Sequence, residues 1–524
     1  MPQIDSTDFP LRADYLAQVQ AHSDTVLFAS RWFNAVACRA TPAQQAALKR
    51  LPGVRSVEPL ETARMVPARR NPVRPSESEP LTAEERQLAR RQISTLGAEA
   101  LQQAQLNGRG LRIAVLDVGF TGTDAHPAFA HLRRQKRIVA THDFVRNKPD
   151  VYHGGAHGTE VLSCLAGVLP DGQPLGLATD AEYLLARTER LHRELYSEEL
   201  NWLAAAEWAD RLGADILNSS LGYTDRRYFR EQMNGRTSLV ARAANMAARK
   251  GMLVVCAAGN DGDDPHWRLI GTPADADSVL AVGALDPDSF LATEFSSCGP
   301  AAGGRRKPNV AAFGVVVVAN PNGGYSRLEG TSFASPLVAG LAACVWQQDR
   351  TLSSMRLFKR LEGAGELFPY FDYAHGFGMP MAVRLLRPGT LATPNFDFVS
   401  TSDVVQVVLR TTALPQKPLP LYLDSLVSAG GVLAGPAPAH ESARVGRDEP
   451  TALPAPANVA AAPKPLSGTD YAYWHIADTR GRIRRYQVLH IVQRAVLRLP
   501  LTELASGDVL RVHIAGYTAE YTKP

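Results

Sequence analysis

Between residues 111 and 390 the sequence keeps returning to one arrangement: a short apolar run of strand length, then a stretch with helical periodicity. The apolar runs lie at 111–116, 181–186, 216–219, 253–256 and 279–282. Alternation of this kind predicts an α/β fold with a mainly parallel sheet and helices on both faces. Residues 200–212 read as one of the helices, with Trp202 and Trp208 as core anchors rather than ligand-stacking groups.

Several of these elements end in a residue with chemistry. Asp117 closes the run at 111–116, and the carboxyl end of a buried parallel strand is where open sheets form their sites. His157 opens a buried helix that includes Val161, Leu162, Cys164 and Leu165, and the run at 252–258 ends in Gly259-Asn260. In the stretch Gly330-Thr331-Ser332-Phe333-Ala334-Ser335-Pro336, a serine stands at the entrance to another apolar helix. A serine hydroxyl is a poor nucleophile unless a base, an orienting carboxylate and donors for the resulting oxyanion surround it. A helix start supplies unpaired N–H groups and the positive end of the dipole. Pro336 fits near such a start, where its missing N–H costs little. Taken alone, the stretch is equally a capped helix start.

Taken together, the motifs IAVLDVGF around Asp117, HGTEVL from His157, NSSLG at 218–222, VVCAAGN ending in Asn260 and GTSFASPLVAG around Ser332 resemble the subtilisin-like serine proteases, or subtilases. The order Asp, His, Ser is the subtilisin order. The resemblance implies that Asp117, His157 and Ser332 form the catalytic set and that the Asn260 side chain lines an oxyanion hole. It also implies that Ser220-Leu221-Gly222 and Ala257-Ala258-Gly259 form two walls of a substrate cleft, with backbone groups free to pair an extended peptide. Two positions depart from the family pattern: Val118 replaces a small hydroxyl residue and Phe333 replaces Met. Neither supplies a catalytic atom, so they bear on pocket shape.

Four units are expected. Residues 1–66 read as a small α/β unit, with a largely apolar strand at 26–38 and a helix opened by Thr41, Pro42 and Gln44 as a capping box. By resemblance this unit is the pro-domain, an intramolecular inhibitor of the enzyme; the alternative is an N-terminal subdomain that is never removed. Residues 67–90 read as an exposed linker rich in Pro, Arg, Ser and Glu, containing the dibasic Arg69-Arg70, with a helix opening at Thr82 and Glu85. Residues 91–390 are the expected catalytic domain. Residues 391–524 are an expected β-rich C-terminal module of antiparallel strands at 404–409, 419–423, 471–476, 483–492, 495–499 and 509–514, split by an Ala/Pro-rich insertion at 430–465.

Composition excludes some partners. With 524 residues, 45% of them hydrophobic, the chain can bury a large core, and a net charge of +4 with no basic block argues against nucleic acid as a partner. No apolar run is long enough for a membrane span. The five cysteines show no metal spacing, and Cys164, Cys256 and Cys344 sit in apolar runs as expected for buried thiols. Residues 1–8 carry no apolar signal region. Because pro-domains accompany exported enzymes, the expectation is nevertheless a secreted or cell-surface protein whose export signal lies upstream of the sequence.

The function expected is therefore a serine endopeptidase acting on polypeptides through an acyl-enzyme. The alternative is a catalytically silent subtilase-fold binding or scaffold protein, which loss of any one of Asp117, His157, Asn260 or Ser332 would favour; all four are present. An esterase with the same triad is disfavoured by the absence of a GxSxG elbow. No cofactor is required by this chemistry. His153 and His157 have a helical zinc spacing, but Gly154-Gly155 between them disfavours a helix there. Asp261, Asp263 and Asp264 lack the EF-hand order and read as a solvated turn. Structural calcium accompanies many subtilases, and the sequence locates no site for it.

Overall fold

The computed structural model describes residues 4–58, 81–191, 196–224, 227–387, 393–410, 433–434, 471–491 and 495–524. The Arg69-Arg70 pair, the expected strand at 419–423 and, apart from a two-residue strand at 433–434, the insertion at 430–465 lie outside the described residues.

The N-terminal unit contains α1 (Ala13–Ala21), β1 (Thr25–Ser30), β2 (Ala35–Arg39) and α2 (Pro42–Leu48). Its apolar segment at 26–38 is a hairpin rather than one strand: β1 and β2 pair antiparallel, from Thr25↔Arg39 to Ser30↔Ala35. The chain reverses through Arg31–Asn34, with Asn34 in the left-handed region at φ 46°. Apolar content alone could not reveal this turn, because Trp32 within it is buried by docking on another part of the chain. Helix α2 starts as the capping box requires: Gln44 N donates to Thr41 Oγ1 (3.3 Å), and Thr41 N donates to Gln44 Oε1 (2.8 Å).

Helix α3 (Ala83–Ser94) has the same device at Thr82 and Glu85. It takes up the end of the stretch expected as exposed linker at 67–90. Leu88 and Ala89 are buried, and the Gln92 amide bonds the backbone of Val317 in both directions, so this part belongs to the catalytic unit.

The chain continues through α4 (Ala98–Gln103), β3 (Arg112–Asp117), α5 (Ala130–Arg134), β4 (Ile138–Asp143), α6 (His157–Ala166), β5 (Glu182–Arg187), α7 (Tyr196–Arg211), β6 (Ile216–Ser219), α8 (Leu239–Arg249), β7 (Leu253–Ala257), β8 (Val279–Leu285) and β9 (Val310–Phe313). Seven strands form one sheet in the order β4-β5-β3-β6-β7-β8-β9, every neighbour parallel. Successive residues of a strand face opposite sides, and both sides are covered. Ile113, Val115, Ile216 and Val255 enter one core with α6, while Ala114, Leu116, Leu217 and Val254 enter another with α7 and α8. Trp202 is fully buried in the second core and Trp208 packs against it, as expected of anchors.

After the hairpin of β10 (Val315–Ala319) and β11 (Tyr325–Glu329) comes α9 (Thr331–Gln348), which lies against β6, β7, β8 and β9 and beside α6. Pro336 is the sixth residue of α9, deeper than the sequence suggested. There its missing N–H deprives the carbonyl of Ser332, four residues earlier, of a helical partner. Helices α10 (Ser354–Gly363) and α11 (Ala382–Leu386) close the unit.

The C-terminal module is antiparallel, as expected. Strands β12 (Phe396–Ser400), β13 (Val404–Leu409), β14 (Leu433–Ala434), β15 (Tyr471–Ala477), β16 (Ile483–His490), β17 (Ala495–Pro500), β18 (Val509–Ile514) and β19 (Tyr517–Thr522) form two sheets, β12-β13-β17 and β14-β16-β15-β18-β19. One face of β15 supplies Trp474 and Ile476 to the module's core; the other turns Tyr471 and Tyr473 onto Leu367 and Tyr370 of the catalytic unit. The His475 ring meets Tyr370 at 5.0 Å between centroids, and His475 Nδ1 bonds the Phe371 carbonyl at 2.7 Å. No helix among the described residues is long and apolar enough to cross a membrane.

Candidate active site

Strands β3, β6 and β7 are neighbours in the sheet, so the turns leaving their carboxyl ends share one edge. The turn after β3 follows Asp117, the one after β6 is Ser220-Leu221-Gly222, and the one after β7 is Ala258-Gly259-Asn260. Sequence residues up to 143 positions apart thus lie along one edge because parallel strands all end on the same side.

Asp117 is fully buried. Its carboxylate accepts from His157 Nδ1 at 2.9 and 3.0 Å through its two oxygens, and Oδ1 accepts from Val118 N at 2.8 Å. Such a pair fixes the imidazole with its proton on Nδ1, leaving Nε2 as the basic nitrogen. The acid-bearing turn and the histidine helix are laced together by backbone: Phe120 N donates to Val151 O, Thr121 N to Gly155 O, and Gly158 N to Gly119 O. Behind them, buried Arg187 at the end of β5 donates to Val118 O (2.9 Å) and pairs with Asp143 at the end of β4 (2.8 Å). Sequence reasoning passed over both residues; an arginine and an aspartate closing otherwise half-apolar strands were the available signal.

Ser332, the second residue of α9, is 8% exposed. Its Oγ donates to Ser220 O at 3.2 Å, and the ring of the next residue, Phe333, lies 5.8 Å from the His157 ring. Asn260 is exposed, and its Oδ1 is occupied by Thr331 N (2.9 Å) and Thr331 Oγ1 (2.8 Å). The amide is therefore oriented with its NH2 away from Thr331, on the side of Gly330, where a Cβ would lie 3.6 Å from Nδ2. Thr331 also accepts from Gly259 N (3.2 Å), tying the start of α9 to the turn after β7.

The two expected walls differ. The backbone of Leu221 and Gly222 makes no hydrogen bond among the described residues, whereas that of Ala258 and Gly259 is committed internally. Ala258 N donates to Val282 O, Gly271 N to Ala258 O, and Ser297 N to Gly259 O. Only the 220–222 side retains free backbone groups for an extended peptide; 257–259 offers a surface. On the 220–222 side Gly222 faces open space, since a Cβ there would meet only Thr272 O, at 3.8 Å.

His153 turns its Nε2 toward Asp143 (3.5 Å) and Asp150 (3.7 Å). In the turn after Asn260, Asp264 accepts from His266 N at 2.8 Å. Among the described residues no group of three or more His, Cys, Asp and Glu side chains is arranged to hold a metal.

Residues 108–361 match the model of the Subtilase family, and residues 2–76 match that of the Peptidase S8 propeptide domain, Bacteroidota. Subtilisin DY of Bacillus licheniformis is 31% identical over 287 residues, 54% of this chain and 94% of that protein. Serine protease AprX of Bacillus subtilis (strain 168) is 29% identical over 278 residues, 47% of this chain and 59% of that protein. A cold adapted subtilisin-like serine proteinase of known structure is 25% identical, covering 51% of this chain and 86% of that chain with a TM-score of 0.41. Since the likeness to Subtilisin DY runs through nearly the whole of that protein, and the family match at 108–361 takes in every strand of the parallel sheet, the chain belongs to the subtilase family of serine proteases.

Proposed function

We propose that this protein hydrolyses peptide bonds of polypeptide substrates by a serine-nucleophile mechanism. The observation that carries the proposal is the Asp117–His157 pair, at 2.9 and 3.0 Å, on the sheet edge where the turn after β6 bonds Ser332 through Ser220. His157 takes the proton of Ser332 Oγ as that oxygen attacks the carbonyl carbon. Asp117 holds the imidazole in the required tautomer and stabilises its cation. The oxyanion is received by Asn260 Nδ2 and by the backbone N–H of Ser332, which has no helical partner in the first turn. His157 then protonates the leaving amine, and water resolves the acyl-enzyme by the same relay. The free backbone at 221–222 aligns the substrate as an added strand.

The N-terminal unit acts as a propeptide, restraining the enzyme until it is removed; its match to the propeptide model supports this. A zymogen of this kind suits a secreted or cell-surface protease. A silent scaffold is less well supported, because Asp117, His157, Asn260 and Ser332 are all present and Asp117 pairs with His157.

Ser332→Ala should abolish hydrolysis and fluorophosphonate labelling while leaving the fold intact, and Asn260→Ala should lower kcat by about 10²–10³-fold, a magnitude drawn from a subtilisin and so borrowed from a relative. Intact-mass analysis of wild type beside Ser332→Ala after incubation near neutral pH reports on the propeptide. Loss of about the first 65 to 80 residues by wild type alone, upstream of α3, is the expected result. Equal activity in the two purified proteins would overturn the assignment.

A further inference from the structure

The carbonyl of Ser332 should be bonded by the N–H of residue 336, but residue 336 is proline. That orphaned acceptor is not left empty. Ser220 Oγ, 112 residues away in the turn after β6, donates to Ser332 O at 2.8 Å, and Ser332 Oγ donates in return to Ser220 O at 3.2 Å. Both the backbone and the hydroxyl of Ser332 are thus tied to one residue.

The direction of the Ser220 hydroxyl is also fixed. Asn218 Nδ2 donates to Ser220 Oγ at 3.3 Å, so the Ser220 proton is free to point at Ser332 O. Asn218 Oδ1 in turn accepts from Ser335 Oγ at 2.8 Å. The chain Ser335–Asn218–Ser220–Ser332 starts and ends on the first turns of α9 and passes through the end of β6. Asn218 and Ser335 are fully buried, and Ser220 is 6% exposed, so water does not compete for these bonds.

We propose that Ser220 is a positioning residue for the nucleophile, its hydroxyl replacing the helical hydrogen bond that Pro336 deletes and so holding the first turn of α9, with Ser332 Oγ, against the cleft wall. The inference rests on the reading of Ser332 as nucleophile and concerns the hydroxyl of Ser220, not its backbone. If it holds, Ser220 and Pro336 are energetically coupled, because giving residue 336 an N–H supplies the bond that Ser220 otherwise provides.

The test is a double-mutant cycle on the full chain: wild type, Ser220→Ala, Pro336→Ala and the double variant, with Ser220→Thr as the conservative control. The readouts are kcat and KM on a chromogenic peptide amide, the rate of fluorophosphonate labelling, and Tm. A displaced nucleophile costs turnover steeply. Ser220→Ala should therefore lower kcat and the labelling rate about tenfold with KM changed less than about twofold, and Ser220→Thr should lie at least about threefold closer to wild type. In the Pro336→Ala background, whatever that change does alone, removing the Ser220 hydroxyl should cost about threefold or less.

A loss in Ser220→Ala that is equal in both backgrounds, or smaller than about twofold, would overturn the proposal. Should Ser220→Ala not fold, Ser335→Ala, which frees Asn218 at the far end of the chain, must reproduce the fall in kcat; unchanged kcat there overturns it too. A wild type that neither hydrolyses peptides nor takes the label would overturn the peptidase reading and this inference together. An active wild type with an indifferent Ser220→Ala would overturn only the inference.

Discussion

Gly119 carries no side chain because its surroundings leave room for none. Its φ is 148°, and a Cβ would lie 2.1 Å from the carbonyl oxygen of His153 and 2.6 Å from Gly155 N. Both obstacles are backbone, so no rotamer change relieves them. Gly119→Ala should cost on the order of 3 kcal/mol or more, read as a fall in Tm or a failure to accumulate; a Tm within about 2 °C of wild type would mean that the turn can open. Legibility at this scale followed sequence distance. Asp117, His157, Asn260 and Ser332 could be singled out as candidates because each lies in a short run of neighbours that encodes its own local turn. Arg187 with Asp143, Thr331 with Asn260 and Ser335 with Asn218 were not, since each is defined by a partner 44, 71 or 117 residues away. Val118 follows the same rule. Its N–H serves Asp117, while its side chain is buried and a Cβ on Gly155 would meet its Cγ2 at 2.7 Å.

Helix α9 shows why elements were legible where they are buried all round. Its residues from Thr331 to Trp346 are all buried, and the run without polar residues from Pro336 to Trp346 is the corresponding sequence signal. The strands at the sheet's two ends were harder to read. Edge strand β4 (IVATHD) is only half-buried and carries polar residues, and β9 (VAAF) is too short and small to stand out. The hairpin in the N-terminal unit was hidden for the opposite reason, its turn being as apolar as its strands. Thr331 is where helix, turn and amide meet, and its hydroxyl both donates to Asn260 Oδ1 and accepts from Gly259 N. Thr331→Val keeps the shape and leaves the Gly259 N–H without a partner, a loss of about 1–2 kcal/mol. The expected result is a fall in kcat of about tenfold with a smaller change in KM, measured by steady-state kinetics. Unchanged kcat would mean that the Thr331 backbone N–H alone orients the amide.

Across the whole molecule, two smaller units are docked on the catalytic one by chemically different contacts. The C-terminal module brings His475 and His513 into buried surroundings. Burial, with Arg511 nearby, lowers the His475 pKa from 6.5 to about 4; burial, with Arg384 nearby, lowers that of His513 to about 3. The folded state therefore binds fewer protons than the unfolded one. The stabilisation is full above pH 6.5 and is lost as pH falls toward those values, roughly 3 kcal/mol for each histidine by pH 4. Melting curves at pH 7 and pH 4.5 should show a smaller acid-induced drop in Tm for His513→Asn than for wild type; equal drops would mean that other groups govern acid sensitivity. The N-terminal unit docks through charge instead. Glu207 of α7 accepts from Ser30 Oγ (2.5 Å), Arg31 N (3.2 Å) and Trp32 N (3.3 Å), while Arg31 pairs with Asp210 and Lys250 with Asp8 (2.8 Å). In Ser332→Ala protein, Glu207→Ala should speed amide exchange in the β1–β2 hairpin by about tenfold or more; unaltered protection would mean that Trp32 and the remaining ion pairs hold the unit without Glu207. This docking also has a timetable. Ser30 and Glu207 are 177 residues apart. At synthesis rates of about 5–20 residues per second the hairpin leaves the ribosome roughly 10–35 s before its platform is made. Throughout that interval Trp32 lacks the platform it rests on, so a hairpin made early is among the last elements to find its place.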